Sequence, residues 1–339
     1  MSKIVLSICI PTYNRGKALV KNLNHLTSFK SDEIEIVVSD NCSQDDTEAR
    51  IKKIKDPRIK YFRNKTNLGF DRNLLKCCER ANGMYYFFLS DEDIIDFKTL
   101  SWIIEFIKKS NNFTQIIGSV GDLRPEKRKL YYNPGDQIFK SGHNALVKIL
   151  FENGYISGII LRNDAIDIVH AKNYVGIMYM HQVLTAQAML KGDTFCTSKV
   201  FCYIGIQNKS YVTKLEKSSK GDRIITFNHP LSRTSILKFR FKLIIDITKN
   251  LHKTRRTLLN KERTIVANYL LSVFFKTPYW FFKIFPYILN IKEYSTSIIF
   301  WKNFPFQFTY EFKKLIKNKK NVNNLIQGII APNSYYDGK

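Results

Sequence analysis

Short apolar runs alternate with longer mixed segments through the first hundred residues. Residues 3–10, 34–38 and 84–89 are rich in β-branched and aromatic side chains, a pattern typical of strands buried on both faces. Pro11 follows the first run directly and is predicted to end it. Each run is separated from the next by enough residues for a helix, so the pattern predicts β-α-β-α-β and a right-handed parallel sheet.

Helical spacing of apolar positions is found in the segments between and after these runs. Residues 47–54 and 70–81 are predicted to be helices of the first half. In the second half of the chain, residues 236–251 and 262–275 have helical patterns without a recognisable catalytic cluster. The fold class is therefore α/β, with a helical C-terminal region.

Polar side chains follow each of the three predicted strands. Pro11-Thr12-Tyr13-Asn14-Arg15, Ser39-Asp40-Asn41 and Asp91-Glu92-Asp93 stand at the three strand ends. Parallel strands present their carboxyl ends at one edge of a sheet, where ligands of open α/β folds bind. We therefore expect the three clusters to line one pocket.

The three consecutive carboxylates carry the most specific chemical signal. They would repel one another unless a cation sat among them, and oxygen ligands with a diphosphate partner suit Mg²⁺ or Mn²⁺. Asp91 and Asp93 could bind the metal as a D-x-D pair, although Glu92 between them leaves the ligand set open. The structural alternative is an acidic helix N-terminus, which is also electrostatically favourable.

Asp40 is a candidate for binding a nucleobase. An ionised carboxylate accepts hydrogen bonds without donating them, so it would favour a base with an N3–H, uracil or thymine, over cytosine. The alternative is a cap for the following helix. Asp45 and Asp46 are closer to that helix, which favours the base-binding interpretation of Asp40.

Four segments resemble the family 2 glycosyltransferases of the GT-A fold: ICIPTYNR, VVSDNCSQDDT, NLGFDRN and FFLSDEDII. The resemblance covers about the first 110 residues. It implies a Rossmann-like nucleotide-binding half joined to an acceptor half. It also implies transfer of one sugar from a nucleotide donor with inversion at the anomeric carbon. Many members of this family build O-antigen, capsule or teichoic acid glycans.

Donor and metal residues follow from the resemblance together with these positions. Tyr13 could stack on the base, and Arg72 could contact the base carbonyl or the diphosphate, with an ion pair to Asp71 or Glu79 as its alternative. The expected nucleotide-sugar-binding residues are Pro11, Thr12, Tyr13, Arg15, Asp40, Asn67, Arg72 and Asp91. The expected metal ligands are Asp93, Asp91 and Glu92. The resemblance also implies an alternative, in which Asp91 contacts the ribose while Glu92 or Asp93 binds the metal.

The acceptor half offers fewer candidates. Ser157 and Gly158 resemble the small-residue strand that borders the acceptor in the family, and a simple edge strand is the alternative. Relatives carry a Glu-Asp pair as general base, but here Tyr179-Met180-His181-Gln182 occupies that place. His181 is the candidate base, with metal ligation or a structural role as alternatives. The other candidates for the base are Asp164, Asp167 and Asp193.

Positive charge is concentrated in the last 129 residues. The chain of 339 residues has a net charge of +25, and residues 211–339 contain 24 Lys and Arg against 7 Asp and Glu. Residues 276–287 and 298–302 interleave cations with aromatic side chains, which suits a lipid headgroup boundary. A helical subdomain with a basic solvent face is the compatible alternative. A nucleic-acid partner is not expected, because the predicted pocket is rich in carboxylates.

Cellular context follows from what the sequence lacks. The six cysteines form no CxxC pair, and Met1 is followed by Ser2, the charged Lys3 and a predicted strand instead of a signal peptide. No apolar run approaches the roughly 20 residues of a spanning helix. We expect a cytoplasmic protein with reduced thiols that contacts the inner face of the cell membrane peripherally.

The sequence thus predicts a GT-A glycosyltransferase domain over residues 1–210 and a basic helical region over residues 211–339. The first divides into a nucleotide-sugar half, residues 1–110, and an acceptor half, residues 111–210. The predicted reaction transfers a sugar from a UDP-sugar to a lipid-linked glycan with a divalent metal. A nucleotidyltransferase and a catalytically inert binding protein of the same fold are the alternatives.

Overall fold

The computed structural model describes residues 4–110, 112–122, 130–152, 155–176, 178–205 and 230–276. Strands and helices alternate through most of this length. In chain order the elements are β1 Leu6–Thr12, α1 Gly16–Ser28, β2 Ile34–Asp40, α2 Thr47–Ile51, β3 Ile59–Arg63, α3 Phe70–Arg80, β4 Tyr85–Phe88, β5 Ile94–Ile95, α4 Phe97–Lys109, β6 Gln115–Asp122, β7 Leu130–Tyr132, β8 Gln137–Phe139, α5 His143–Ile149, β9 Ile159–Arg162, α6 Ile168–Ala171, α7 Met180–Lys191, β10 Thr194–Ile204, α8 Pro230–Ile247 and α9 His252–Lys276.

One mixed sheet organises the described part of the chain. Its order is β3-β2-β1-β4-β9-β6-β10-β5, with β7 on β6 and β8 on β10. The first four strands in this order are parallel, and three of them, β2, β1 and β4, are the predicted parallel strands. Beyond them, β9 runs antiparallel to both β4 and β6, so it lies inside the sheet and the edge-strand alternative is wrong.

Two details of the first half differ from the prediction. β1 continues through Pro11 to Thr12, because its pairing with β4 ends at Cys9 and the missing N–H of Pro11 faces no strand on that side. The second difference is β3, which was not predicted. This edge strand has the sequence IKYFR and is only partly buried, so it lacks the apolar signature of its neighbours.

Helices pack against the sheet through regularly spaced apolar side chains. Leu19, Leu23 and Leu26 of α1 and Ile103 and Ile107 of α4 are buried in the same core as β1, β2 and β4. Each such side chain contributes about 1.5–3 kcal/mol on burial. The predicted helices at 47–54 and 70–81 are present as α2 and α3, and α2 ends three residues earlier than predicted. This packing fixes the carboxyl ends of the central strands.

Contacts between Cα atoms divide the chain into two compact units, residues 1–208 with 217–222, and residues 209–216 with 223–339. Within the second unit, α8 and α9 pack together, and Arg240 of α8 lies 3.3 Å from the buried Glu262 of α9. None of the helices in the described residues has the length and hydrophobicity needed to cross a membrane. The aromatic and basic segments at 277–287 and 298–302 lie outside the described residues.

Candidate functional site

The polar clusters meet where the direction of strand addition reverses in the sheet. β2 and β3 lie on one side of β1, and β4 lies on the other. Thr12 at the end of β1 donates a hydrogen bond from Oγ1 to Oδ2 of Asp91, just beyond β4, at 2.7 Å. Such reversal points form the ligand crevice of open α/β sheets.

Arg15 supplies a positive charge to the carboxylate cluster. Its guanidinium lies 3.3 Å from Oδ1 of Asp91 and forms an ion pair with Glu92. The side chain remains 23% exposed, whereas both carboxylates are almost completely buried. The cation expected among these acids is therefore provided, in this arrangement, by the protein itself.

Asp93 is held by a separate set of donors. Tyr155 Oη lies 2.7 Å from Oδ2 and 2.9 Å from Oδ1, and the Ser157 hydroxyl donates to Oδ2 at 2.6 Å. The N–H of Gly205 donates to Oδ1 at 3.0 Å. Asp93 thus joins β4 to the segments that precede β9 and follow β10.

Burial dominates the acidity of this cluster. It raises the pKa of Asp91 to about 6, against the opposing effects of Arg15 and the Thr12 hydroxyl. It also raises the pKa of Asp93 to about 6, although Ser157, Gly205 and Tyr155 stabilise the carboxylate. Burial therefore makes the charged form of both carboxyls less favourable than in water, and an additional cation would offset that cost.

Asp40 is fully buried at the end of β2 and has protein partners on both oxygens. Ser43 donates to Oδ1 through its N–H at 2.9 Å and its hydroxyl at 2.6 Å, and Tyr61 Oη donates to Oδ2 at 2.6 Å. Asp45, and not Asp40, bonds the N-termini of the neighbouring helices, accepting from Gly16 N–H at 3.2 Å and Thr47 N–H at 3.1 Å. The base-binding role of Asp40 stays a prediction.

The predicted loop before α3 is tied to the end of β2. The Asn41 side-chain amide donates to Oδ1 of Asn67 at 2.7 Å, and the same oxygen accepts from Gly69 N–H at 2.9 Å. Gly69 has a φ of +78°, which glycine adopts without strain. Asn67 therefore lies beside the strand ends. Tyr13, next to the end of β1, and Arg72, in α3, are partly buried.

Ser157 and Gly158 make contacts within the protein interior. Ser157 is fully buried, and besides contacting Asp93 its hydroxyl oxygen accepts from Ser90 N–H at 2.9 Å. Gly158 has a φ of +86°, and a Cβ there would lie 3.0 Å from the Val120 side chain. The close approach that requires glycine is thus to the protein, and an acceptor role for either residue stays a prediction.

His181 lies in the first turn of α7 and is 3% exposed. The alternative bases have structural partners that account for them. Asp164 pairs with Arg162 at 2.6 Å, Asp167 caps α6, and Asp193 pairs with Lys140 at 2.7 Å, which lowers the pKa of Asp193. These contacts leave His181 as the candidate to test first.

Three residues of the region were not predicted from the sequence: Asp71, Tyr155 and Gly205. Tyr155 stands two positions before Ser157, in the bend and turn that lead into β9. Gly205 contacts a residue 112 positions away in the sequence, and Asp71 contacts residues more than 100 positions away. No local sequence pattern indicates contacts at such separations.

The carboxylate cluster has the chemistry of a divalent-metal site. Asp91 and Glu92 already share one cation, the Arg15 guanidinium, and their hard oxygens are the ligands that Mg²⁺ and Mn²⁺ prefer. Among the described residues, no group of three or more His, Cys, Asp or Glu could hold a metal ion. A metal role for Asp91 and Glu92 stays a prediction.

Two curated relatives match parts of the chain. Abequosyltransferase RfbV of Salmonella typhimurium is 28% identical over 198 residues, 52% of this chain and 59% of that protein. The Campylobacter jejuni GalNAc(5)-diNAcBac-PP-undecaprenol beta-1,3-glucosyltransferase is 31% identical over 117 residues, 34% of this chain and 37% of that protein. The chain therefore spans less than two thirds of the length of these relatives.

The fold is similar to that of a solved glycosyltransferase. The crystal structure of S. aureus TarS 1-349 in complex with UDP-GlcNAc matches with a TM-score of 0.54 at 17% identity, covering 80% of this chain and 72% of that chain. The predicted GT-A architecture is confirmed. A family model described as glycosyl transferase family 2 matches residues 7–161, which include β1 through most of β9. Residues 7–161 are thus similar to the glycosyl transferase family 2 model.

Proposed function

We propose that this protein is a glycosyltransferase that moves a sugar from a UDP-sugar to a glycan acceptor, with inversion at the anomeric carbon. The observation that carries the proposal is the Thr12–Asp91 hydrogen bond across β1 and β4, with Arg15 beside it. It brings residues of two family motifs together at the crevice of the sheet. The relatives named as sugar transferases support the same class of reaction.

The donor half would bind the nucleotide along the ends of β1 and β2. Asp40 would accept the N3–H of uracil, which requires one of its present donors, Tyr61 or Ser43, to share or release an oxygen. Tyr13 would stack on the base. Arg72, in the first turn of α3, would contact the diphosphate as a cation.

Asp91 and Glu92 would hold Mn²⁺ or Mg²⁺, and Asp93 would orient the cluster through Tyr155 and Ser157. A divalent ion here would offset the negative charge on the departing nucleoside diphosphate. Arg15 already pairs with both candidate ligands, so the guanidinium and the metal compete for the same oxygens. The amount of metal needed for activity therefore depends on Arg15.

On the acceptor side, His181 would take the proton of the attacking hydroxyl. Neutral imidazole is a competent base near pH 7, and an inverting transfer needs one such group on the acceptor side. The three carboxylates considered as alternatives have the partners described above. His181→Ala is expected to lower turnover by about 100-fold or more, a range typical for loss of a general base.

The acceptor is proposed to be a lipid-linked surface glycan. The support comes from the name of the Campylobacter relative, which includes an undecaprenol-linked substrate. The basic C-terminal region could hold the protein at an anionic membrane, since each Lys or Arg near the surface contributes about 1 kcal/mol. Such a location would bring the site to a lipid-linked substrate at the cytoplasmic face.

Thermal stability with UDP, CDP, GDP and dTDP, each with Mn²⁺ or EDTA, tests the donor site. A ligand that binds only the folded state raises the melting temperature. We expect UDP with Mn²⁺ to give the largest shift, and Thr12→Val to reduce it. Ser198→Ala, which removes a hydroxyl bonded to Asp136 in another part of the sheet, is the control. No shift with any nucleotide would contradict the proposal.

Donor turnover is the second step of the test. A set of UDP-sugars is incubated with lipid-linked acceptors, and release of UDP is measured with and without acceptor. Release that depends on acceptor supports transfer. Nucleotide binding without release under any of these conditions would instead favour an inert binding protein of the same fold.

A further inference from the structure

A buried carboxylate at the start of α3 contacts the backbone that leads into α7. Asp71 is 3% exposed. Its Oδ2 accepts the N–H groups of Gly176 at 2.8 Å and Met178 at 3.0 Å, and its Oδ1 accepts the N–H of Met180 at 3.1 Å. One side chain therefore binds three amides of a segment more than 100 residues further along the chain.

The segment held by Asp71 has an unfavourable backbone conformation. Gly176 has a φ of +109°, and Met178, which is not glycine, has a φ of +63°. A side chain other than glycine keeps such a conformation only where the surroundings enforce it. The two hydrogen bonds to Oδ2, on either side of residue 177, supply that constraint.

The same carboxylate completes the N-terminus of α7. The first N–H groups of a helix have no partner within the helix, and the side chain of Tyr179, at the N-cap position, does not cap them. Met180, the first residue of α7, is fully buried, so water cannot serve its N–H. Asp71 takes the place of the missing cap from another element, and its negative charge suits the helix dipole.

We propose that Asp71 is a positioning residue for the acceptor side of the reaction: it fixes the backbone at Gly176, Met178 and Met180, the first residue of α7, and thereby sets the position of His181. This inference rests on the proposed function. Asp71 lies two residues after Gly69, in the stretch that Asn67 ties to the end of β2. A single short stretch of chain thus connects the nucleotide side of the site with the helix that carries the proposed base.

A purely structural role for Asp71 would give different kinetics. If Asp71 only stabilised the fold, its loss would lower the fraction of active protein without changing the kinetic constants of the remainder. If it positions His181, its loss lowers kcat of correctly folded enzyme and leaves donor binding intact. The two roles are therefore separable by experiment.

Asp71→Asn is the appropriate variant, because Asn keeps the size but turns an NH₂ group toward at least one of the three backbone donors. We expect kcat to fall about 10- to 100-fold, from the loss of a hydrogen bond to a charged acceptor, while KM for the donor changes less than about twofold. Asp96→Asn is the matched control: Asp96 caps α4 by accepting Thr99 N–H at 2.8 Å, and its kcat should stay near that of wild type.

Hydrogen exchange tests the contact independently of activity. In the wild type, the amides of Gly176, Met178 and Met180 should exchange as slowly as the amides within α3. In Asp71→Asn they should exchange at least about tenfold faster, while amides of β1 and β2 are unchanged. Fast exchange of all three in the wild type would overturn the inference without any variant, even if Asp71→Asn failed to fold.

The outcomes separate this inference from the proposed function. Normal kcat in Asp71→Asn with faster amide exchange would show that the contact is structural and that the positioning role is wrong. A loss of kcat accompanied by an equal loss of donor binding would also overturn it. Absence of transfer by the wild type would instead refute the proposed function. The exchange rates of the three amides would then show by themselves whether Asp71 holds this backbone.

Discussion

Arg15 and Asp91 show how single side chains in this site depend on one another. Asp91 is buried, and Arg15 and Thr12 together stabilise its charged form without fully offsetting the burial. Asp93, two residues on, has a comparable acidity and an entirely different set of donors. Two adjacent carboxylates with raised pKa values make the local charge sensitive to pH and to bound cations.

The raised pKa of Asp91 predicts a stability difference with a defined sign. Between about pH 4 and pH 6, the unfolded state loses its proton while the folded state keeps it. The wild type should therefore lose free energy of unfolding relative to Asp91→Asn as pH rises through this interval, by at most about 3 kcal/mol. Urea unfolding of both proteins at intervals of pH measures it. A difference that is constant, or that grows in favour of the wild type, would contradict the burial effect.

Competition between Arg15 and a divalent ion gives a second prediction. Arg15→Ala removes the guanidinium from Asp91 and Glu92, so the affinity for Mn²⁺ without nucleotide should rise about tenfold. Free Mn²⁺ measured by its electron paramagnetic resonance signal gives the dissociation constant. Lys17→Ala, which removes an equal charge from an exposed position of α1, should leave that constant unchanged. Equal or weaker Mn²⁺ binding by Arg15→Ala would mean that the two cations use different oxygens.

The strands and helices of the donor half were largely predictable, and the reasons are local. β1, β2 and β4 are buried on both faces, so their sequences are continuously apolar and stand out. β3 was not predicted, because the sequence IKYFR of this partly buried edge strand mixes charged and aromatic side chains and lacks a continuous apolar run. The antiparallel direction of β9 depends on pairing with β4 and β6, partners that are distant in sequence. No short pattern records such a choice.

Site residues divide in the same way. Residues of the strand ends, such as Thr12 and Asp91, could be expected to meet because parallel strands end together. Tyr155 bonds to Asp93, and Asp71 bonds to the backbone before α7, because the fold brings distant segments together. The sequence shows that these residues are present but does not show which groups they contact. The deeper reason is that a hydrogen bond between distant segments leaves no trace in the spacing of either segment.

The end of β10 yields a prediction about a glycine. Gly205 follows β10, and a Cβ built there would collide with the carbonyl oxygen of Glu92. Gly205→Ala should therefore shift the backbone at Glu92, cost about 1–3 kcal/mol of stability, as overpacking does, and weaken nucleotide binding. Chemical denaturation and the UDP thermal shift measure the two effects. A variant with unchanged stability would show that the chain after β10 adjusts freely.

Net positive charge is distributed unevenly along the chain. Most of it is carried by residues 211–339, which follow the segment matched by the family model. Residues 313–320 alone contain five lysines. If the C-terminal region contacts anionic lipid, this cluster should contribute strongly, at about 1 kcal/mol for each lysine near the surface. A contact of this kind weakens as salt screens the charges.

Vesicle flotation tests the membrane contact with the full chain. The wild type should float with phosphatidylcholine vesicles that contain phosphatidylglycerol, but not with phosphatidylcholine alone, and high salt should release it. Replacing Lys313, Lys314, Lys317, Lys319 and Lys320 by Gln should abolish flotation. The control replaces five exposed lysines of the first unit, Lys52, Lys53, Lys55, Lys60 and Lys65, by Gln. An equal loss of flotation in both variants would assign the attraction to net charge instead of to the C-terminal region.

The reversed direction of β9 has a consequence for protein engineering. Because an antiparallel strand starts at the edge where its parallel neighbours end, the segment before β9 delivers Tyr155 and Ser157 to Asp93. A chimera that joins this donor half to another acceptor half would keep Asp93 but lose Tyr155 and Ser157, its hydroxyl partners, unless the new half supplies equivalent groups. New specificities made by exchanging halves will therefore require a matching pair of hydroxyl groups ahead of the incoming strand.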